Sequence, residues 1–330
     1  MKTSVSAQAG STLSIVIVGT IFGSAFLCIK ILVEEMSLLH IVAGRLSLGA
    51  LAVGSVLAAT RRVPNISRSL LISGAVLALA DALIPYLLIS WGETQIHAGT
   101  AAVLISTMPL FTALFAHILA RDERLSAGKL GGLTVGFAGV AILAGGDGAG
   151  AFTTPSAGAA AVVLAAMLYA GAAVYARRVL ASVDAITLNA VKLTIGALVM
   201  IPLAVGVDGL PSAEALDARS IIALVWVGMV TTGLARIAYF AAVAAAGSVR
   251  ASLVTYIVPV SGVALGCLVL GEPLRTQSIA GFSLVIVGVA LVMYGRVLAH
   301  AISGSARRLI VGRMAGDHGG VQHAALTEGR

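Results

Sequence analysis

Ten apolar runs, each long enough to cross a bilayer, constrain this 330-residue chain more than any other feature it has. About 30 Å of hydrocarbon, crossed at 1.5 Å per residue, takes roughly 20 residues. The runs are Leu13–Val33, Leu39–Thr60, Leu70–Trp91, His97–Ala120, Ala127–Gly145, Ser156–Val179, Ala185–Val205, Ile221–Ala245, Ser248–Leu270 and Thr276–Val297. A β-barrel needs segments of about ten residues that alternate in polarity, and these runs do not alternate. The connectors are short, so the spacing predicts one helical bundle. Charge agrees, because only 11% of the residues are charged where a soluble domain carries about 25%. The first run is read as a span rather than a cleaved signal: Met1–Lys2 is a weak basic start and no A-x-A site follows before Glu34–Glu35.

Orientation follows from arginine and lysine. With the N-terminus inside, the inner connectors hold Arg61, Arg62, Arg68, Arg121, Arg124, Lys129, Arg177, Arg178 and Arg250, and the tail adds five more arginines. The outer connectors hold only Arg219 and Arg275, against Glu34, Glu35, Glu93, Asp147, Asp208, Glu214 and Asp217. That asymmetry predicts cytoplasmic termini. The net charge of +7 therefore encodes topology, and no nucleic-acid partner is expected. The basic tail, 298–330, either lies on an anionic leaflet or is poorly ordered.

The two halves repeat. Leu48-Gly49-Ala50-Leu51 answers Ile195-Gly196-Ala197-Leu198, 147 residues on, and at the same offset Phe22 meets Tyr169, Lys30 meets Arg177 and Arg45 meets Lys192. Met108-Pro109 then answers Val258-Pro259, Glu123 answers Glu272, Gly132 answers Gly281 and Gly139 answers Gly288. Each copy holds five spans. Five is odd, so the second copy lies upside down, which is the architecture of many secondary transporters. The expected fold is therefore all-α and polytopic, with ten transmembrane helices as two inverted five-helix repeats. Its divisions are a cytoplasmic segment 1–12, repeats at 13–145 and 146–297, and the tail.

These residues resemble a known family. Phe22-Gly23-Ser24-Ala25-Phe26 with Lys30, Gly44-Arg45-Leu46, the stretch from Ala101 to Met108-Pro109-Leu110-Phe111, and Pro259 through Gly271-Glu272-Pro273-Leu274 to Gly288-Val289 are similar to the drug/metabolite transporter superfamily with EamA-type repeats. The family commonly has Trp where Phe22 stands, and an apolar or aromatic residue where this chain has Arg236. The resemblance implies a cavity lined by spans one, three, four, six, eight and nine, with Lys30 toward the pore, and export or uptake of small metabolites.

Two ionisable residues lie deep in apolar runs, Asp81 in the third and Arg236 in the eighth. A charge at the bilayer centre costs at least ~2.5–3.5 kcal/mol, so such residues face a cavity and a partner. Their depths differ by roughly 5 Å, which an extended arginine covers. Two readings stand open: a substrate site for a zwitterion or anion, or a structural ion pair holding the halves together. Asp81 could also carry a coupling proton, provided the pair separates during the cycle. Tyr239 and Phe240 share a helical face with Arg236. Phe26, Tyr86, Tyr169 and Tyr256 lie on spans that the family uses for its cavity, while Trp91 fits an interfacial belt. Lys30, Arg45, Arg177 and Lys192 read as snorkelling residues near span ends, with Lys30 kept as a substrate contact. Pro109 and Pro259 are read as kinks and gating joints, with Ser106, Thr107 and Thr255 beside them to meet freed carbonyls and Thr107 also a substrate contact.

The enzyme readings are weak: H-E-x-x-H and P-loop motifs are absent, and the histidines sit outside the spans or at their edges, where a buried Ser–His pair is not expected. No metal or cofactor is expected. The expected function is secondary active transport of a small metabolite, an amino acid or related compound, exported across a bacterial inner membrane by alternating access. The expected state is a monomer or weak homodimer in the lipid bilayer. The alternatives are a lipid or lipid-linked-sugar translocase and a non-transporting membrane scaffold.

Overall fold

The computed structural model describes residues 2–61, 66–119, 127–144, 156–180, 183–212, 214–239 and 254–294. Nearly all of them are helical, and none forms a strand. Eight of the described helices are long and apolar enough to span a bilayer, and two shorter apolar ones complete the expected ten. They are α1 (Lys2–Glu35, apolar from Leu13), α2 (Leu38–Ala59), α3 (Arg68–Glu93), α4 (Ala98–Ile105 with Met108–Leu119), α5 (Ala127–Ala144), α6 (Ala157–Val179), α7 (Ala185–Asp208), α8 (Ala218–Tyr239), α9 (Val254–Leu270) and α10 (Thr276–Tyr294). Phe240, Glu123 and the tail fall outside the described residues.

Helix starts are set by side chains that occupy otherwise orphaned amides. Ser37 accepts from His40, Ser67 from Leu70, Asp184 from Thr187 and Asp217 from Ser220, so α2, α3, α7 and α8 begin where a capping residue follows a connector.

Packing obeys the repeat. α1 lies against α9 as α6 lies against α4; α2 against α8 as α7 against α3; α3 against α6 as α8 against α1. The exchange of halves maps each contact onto another. α2 with α7, α4 with α9 and α5 with α10 map onto themselves. Between α5 and α10 the glycines cross: a Cβ on Gly132 would lie 2.8 Å from the Gly288 carbonyl oxygen, and one on Gly139 2.7 Å from that of Gly281. Rising numbers on one helix meet falling numbers on the other, so the pair is antiparallel. A two-fold axis that exchanges antiparallel helices lies across them, in the membrane plane. Between α2 and α7 the same rule holds, Gly49 facing Leu193 and Gly196 facing Leu46.

Both copies also widen at matching places. α3 is π-helical over Leu79–Leu83 and α8 over Trp226–Leu234. In α3 the cause is local, since Pro85 has no N–H to return to the carbonyl four residues earlier, that of Asp81. Single-turn π segments such as that of α3 recur at functional sites. α4 is interrupted outright: Ser106 and Thr107 form a turn, and a new helix starts at Met108 with Pro109 in its first turn. Ser106 donates to Ala102 O at 2.8 Å and Thr107 to Leu104 O at 2.6 Å, which satisfies carbonyls at the break. Pro259 instead sits within an unbroken α9.

Candidate functional site

The π turn of α3 carries Asp81, and the widened register brings Tyr86, five residues on, to the same side of the helix. α7 and α8 present a cation each to that carboxylate. Lys192 Nζ lies 2.5 Å from Asp81 Oδ2, and Arg236 Nη2 lies 3.6 Å from the same oxygen. One carboxylate of the first repeat thus bridges two cations of the second. The expected pairing of Asp81 with Arg236 is present, but Lys192 is the nearer partner.

The triad lines a cavity of about 520 Å³ whose wall also includes Asn189, Tyr239, Met108 and Arg177. Its residues come from the first half of α3 up to its middle, the break in α4, the first half of α7 and the last halves of α6 and α8. The cavity therefore occupies the membrane half that carries the α2–α3 and α6–α7 connectors, here called the terminal face. Two positive charges against one negative, with Arg177 at the rim, leave the cavity short of an anion. Asn189 is 4% exposed and neither its amide nitrogen nor its oxygen has a hydrogen-bond partner. A buried amide of that kind is costly unless something else meets it.

Behind the triad stands a second buried cation. Arg45 lies over the Tyr86 ring at 3.6 Å, and its Nε donates to Thr232 Oγ1 at 2.8 Å. Thr231 and Thr232 both donate to the Val227 carbonyl within the π segment of α8. Arg45 and Lys192 were expected near span ends, snorkelling. They are 8% and 3% exposed, and each meets an aromatic or acidic partner deeper in the bundle. Position along a helix misled because α2 and α7 pack face to face at the centre, so a residue two turns in points at the other repeat.

Of the remaining expected site residues, Tyr239 joins the cavity wall and packs edge-on to Phe22 at 6.3 Å. Tyr86 is buried beneath Arg45, and Tyr169 packs in the same core. Phe26 and Thr107 are buried in the packing between helices. Tyr256 stacks on Tyr294 and reaches Met293 Sδ, on the α9–α10 side. Lys30 is at the opposite face, donating to the carbonyls of Glu93 at 2.6 Å and Ile96 at 3.2 Å. Trp91 is 40% exposed on the outside of the bundle, as a belt residue would be.

At the opposite face the α9–α10 connector packs on the start of α4. Glu272 accepts from the amides of Ala98 at 2.6 Å and Gly99 at 3.0 Å, which caps the start of α4. A carboxylate there meets both the free amides and the positive end of the helix.

The sequence profile of the EamA-like transporter family matches residues 10–145 and 156–294. The uncharacterized transporter YoaV of Bacillus subtilis is 25% identical over 277 residues, covering 84% of this chain and 94% of that one. A probable terminal-alkyne amino-acid exporter of Streptantibioticus cattleyicolor is 28% identical over 207 residues, 62% of this chain and 67% of the other. One solved crystal structure superposes with a TM-score of 0.61 at 18% identity, covering 86% of this chain and 98% of that chain, a likeness of fold alone.

Proposed function

The chain belongs to the EamA-like transporter family, and from that premise we propose that it exports a small zwitterionic or anionic metabolite, an amino acid or close relative, by alternating access. The observation that carries this reading is the Asp81–Lys192–Arg236 triad, built from both repeats and lining a cavity of about 520 Å³. A substrate carboxylate would draw on Arg236 and Lys192, its ammonium on Asp81, and Asn189 would gain the partner it lacks. Tyr239 would close over the bound group. Arg236 is the more exposed partner, its side chain 31% exposed against 4% for Lys192, and so the one a ligand reaches first.

Arginine placement supports cytoplasmic termini in a bacterial inner membrane, which makes the cavity open to the cytoplasm in this conformation. The repeats at 13–145 and 146–297 then rock about the α2–α7 and α4–α9 contacts, with the break before Pro109 as one joint and Pro259 as the other. The name of the Streptantibioticus relative, an amino-acid exporter, agrees with the substrate class.

The test is growth of a deletion strain and an overexpressing strain across toxic amino acids and metabolite analogues. Resistance to one class on overexpression, with matching sensitivity on deletion, is the expected result. No phenotype in any class would overturn export and favour a non-transporting scaffold.

A further inference from the structure

Glu93 ends α3 at the opposite face, and by sequence it passes for a connector charge. In the structure it is 0% exposed, and neither carboxylate oxygen has a hydrogen-bond partner. Two sets of nearby donors are committed elsewhere. Lys30 of α1 gives its protons to the main-chain carbonyls of Glu93 and Ile96 rather than to the carboxylate. The amides of Ala98 and Gly99 are taken by Glu272. The charged and titratable groups around Glu93 are Lys30 and Cys28 of α1, Arg45 of α2 and Glu272 of the α9–α10 connector. α6 meets this stretch with Gly158 and Val162 against Gly92, and His97, leading into α4, stands at the rim of the same recess as Lys30. Ser90 Oγ, one turn before Glu93, and Nη1 of Arg45 are also without partners.

An ionised carboxylate stripped of both water and donors is the form that such a place disfavours most, while a neutral acid fits it. Polar groups of this kind within membrane proteins mark proton and substrate paths. We propose that Glu93 is a proton-binding site of the opposite face, loaded from the water on that side when the face closes and emptied into it when the face opens. The O–H bond forms on one carboxylate oxygen from a water-borne proton and breaks on opening, with no other group changed. On opening, Lys30 moves from the Glu93 and Ile96 carbonyls to the freed carboxylate, its charge already beside it. This proposal rests on the alternating-access reading above.

The full chain in proteoliposomes tests it in two ways. Infrared titration reads the carboxylic-acid C=O stretch directly: the band is expected in the unaltered protein and in Asp81→Asn, and lost in Glu93→Gln. A band that survives Glu93→Gln overturns the proposal, and Glu93→Ala puts the same question should the glutamine variant fail to assemble. Counterflow of a ¹⁴C-labelled amino-acid mixture is then measured while pH is varied only on the side of the α3–α4 connector. The unaltered protein is expected to slow as that side is acidified, by up to about tenfold per pH unit for one proton, whereas Glu93→Gln is slow and flat. An unaltered pH slope in Glu93→Gln overturns the proposal. Absence of any counterflow in the unaltered protein would instead count against the amino-acid reading, and the infrared arm still decides Glu93.

Discussion

Lys192 of α7 holds Asp81 of α3 at 2.5 Å, closer than the 3.6 Å at which Arg236 of α8 approaches the same oxygen. The two cations differ in exposure as well as in distance, and the difference separates a structural partner from one free to serve a ligand.

Asp81→Asn leaves two buried or half-buried cations facing each other, and removing one partner of a buried pair costs about 3–5 kcal/mol. Lys192→Met leaves the carboxylate to Arg236 alone and is expected to lower stability less than Asp81→Asn. Thermal unfolding of purified protein should show both losses, with the double variant less destabilised than their sum. Additive losses would place the two residues in separate environments.

Arg236→Ala should leave the fold close to intact and weaken substrate binding. A hydrogen bond to a charged group is worth about 1.5–3 kcal/mol, so KM in counterflow is expected to rise by about tenfold or more with kcat less affected. A fall in kcat at constant KM would assign Arg236 to the conformational step.

The α5–α10 seam leaves no space for side chains. A Cβ on Gly288 would lie 2.4 Å from the Gly136 Cα and nitrogen, main-chain atoms that cannot yield. Gly288→Ala is expected to splay the seam and lower the unfolding temperature. Gly131→Ala, where nothing stands within 4 Å, should be neutral or gain up to about 1 kcal/mol from helix propensity.

Asp217 caps α8 outside the membrane, and Ser220, whose amide lies 2.7 Å from Oδ1, holds its carboxyl below the usual carboxylate range. Its folded value lies below its unfolded one. The cap therefore stabilises above the unfolded value and is lost as pH falls through the folded one. Hydrogen exchange at the Ser220 amide should accelerate over that acid range in the unaltered protein and not in Asp217→Asn.

The spans were legible because hydrocarbon thickness fixes run length, and the Asp81–Arg236 pair because depth can be counted residue by residue. Lys192 was not. Seven residues into α7 it reads as a residue near an end, and only the packing of α7 on α2 and α3 turns it inward. The π turns leave no mark in composition beyond Pro85, yet they decide that Tyr86 shares a face with Asp81. Glu93 closes an apolar run, where charge is ordinary. Its burial comes from other segments, Gly92 meeting Gly158 closely enough to seat α6 over it.

The crossed glycines carry a consequence for the halves taken separately. Gly132 and Gly139 sit on one half, Gly281 and Gly288 on the other, and each meets the counterpart of its neighbour. A five-helix chain with the first half's surfaces would thus be complementary to an upside-down copy of itself. The joined chain behaves as a homodimer whose two subunits have been made continuous. Continuity releases them from being identical, so an acid can stand at position 81 of one half while the bases that answer it stand in the other.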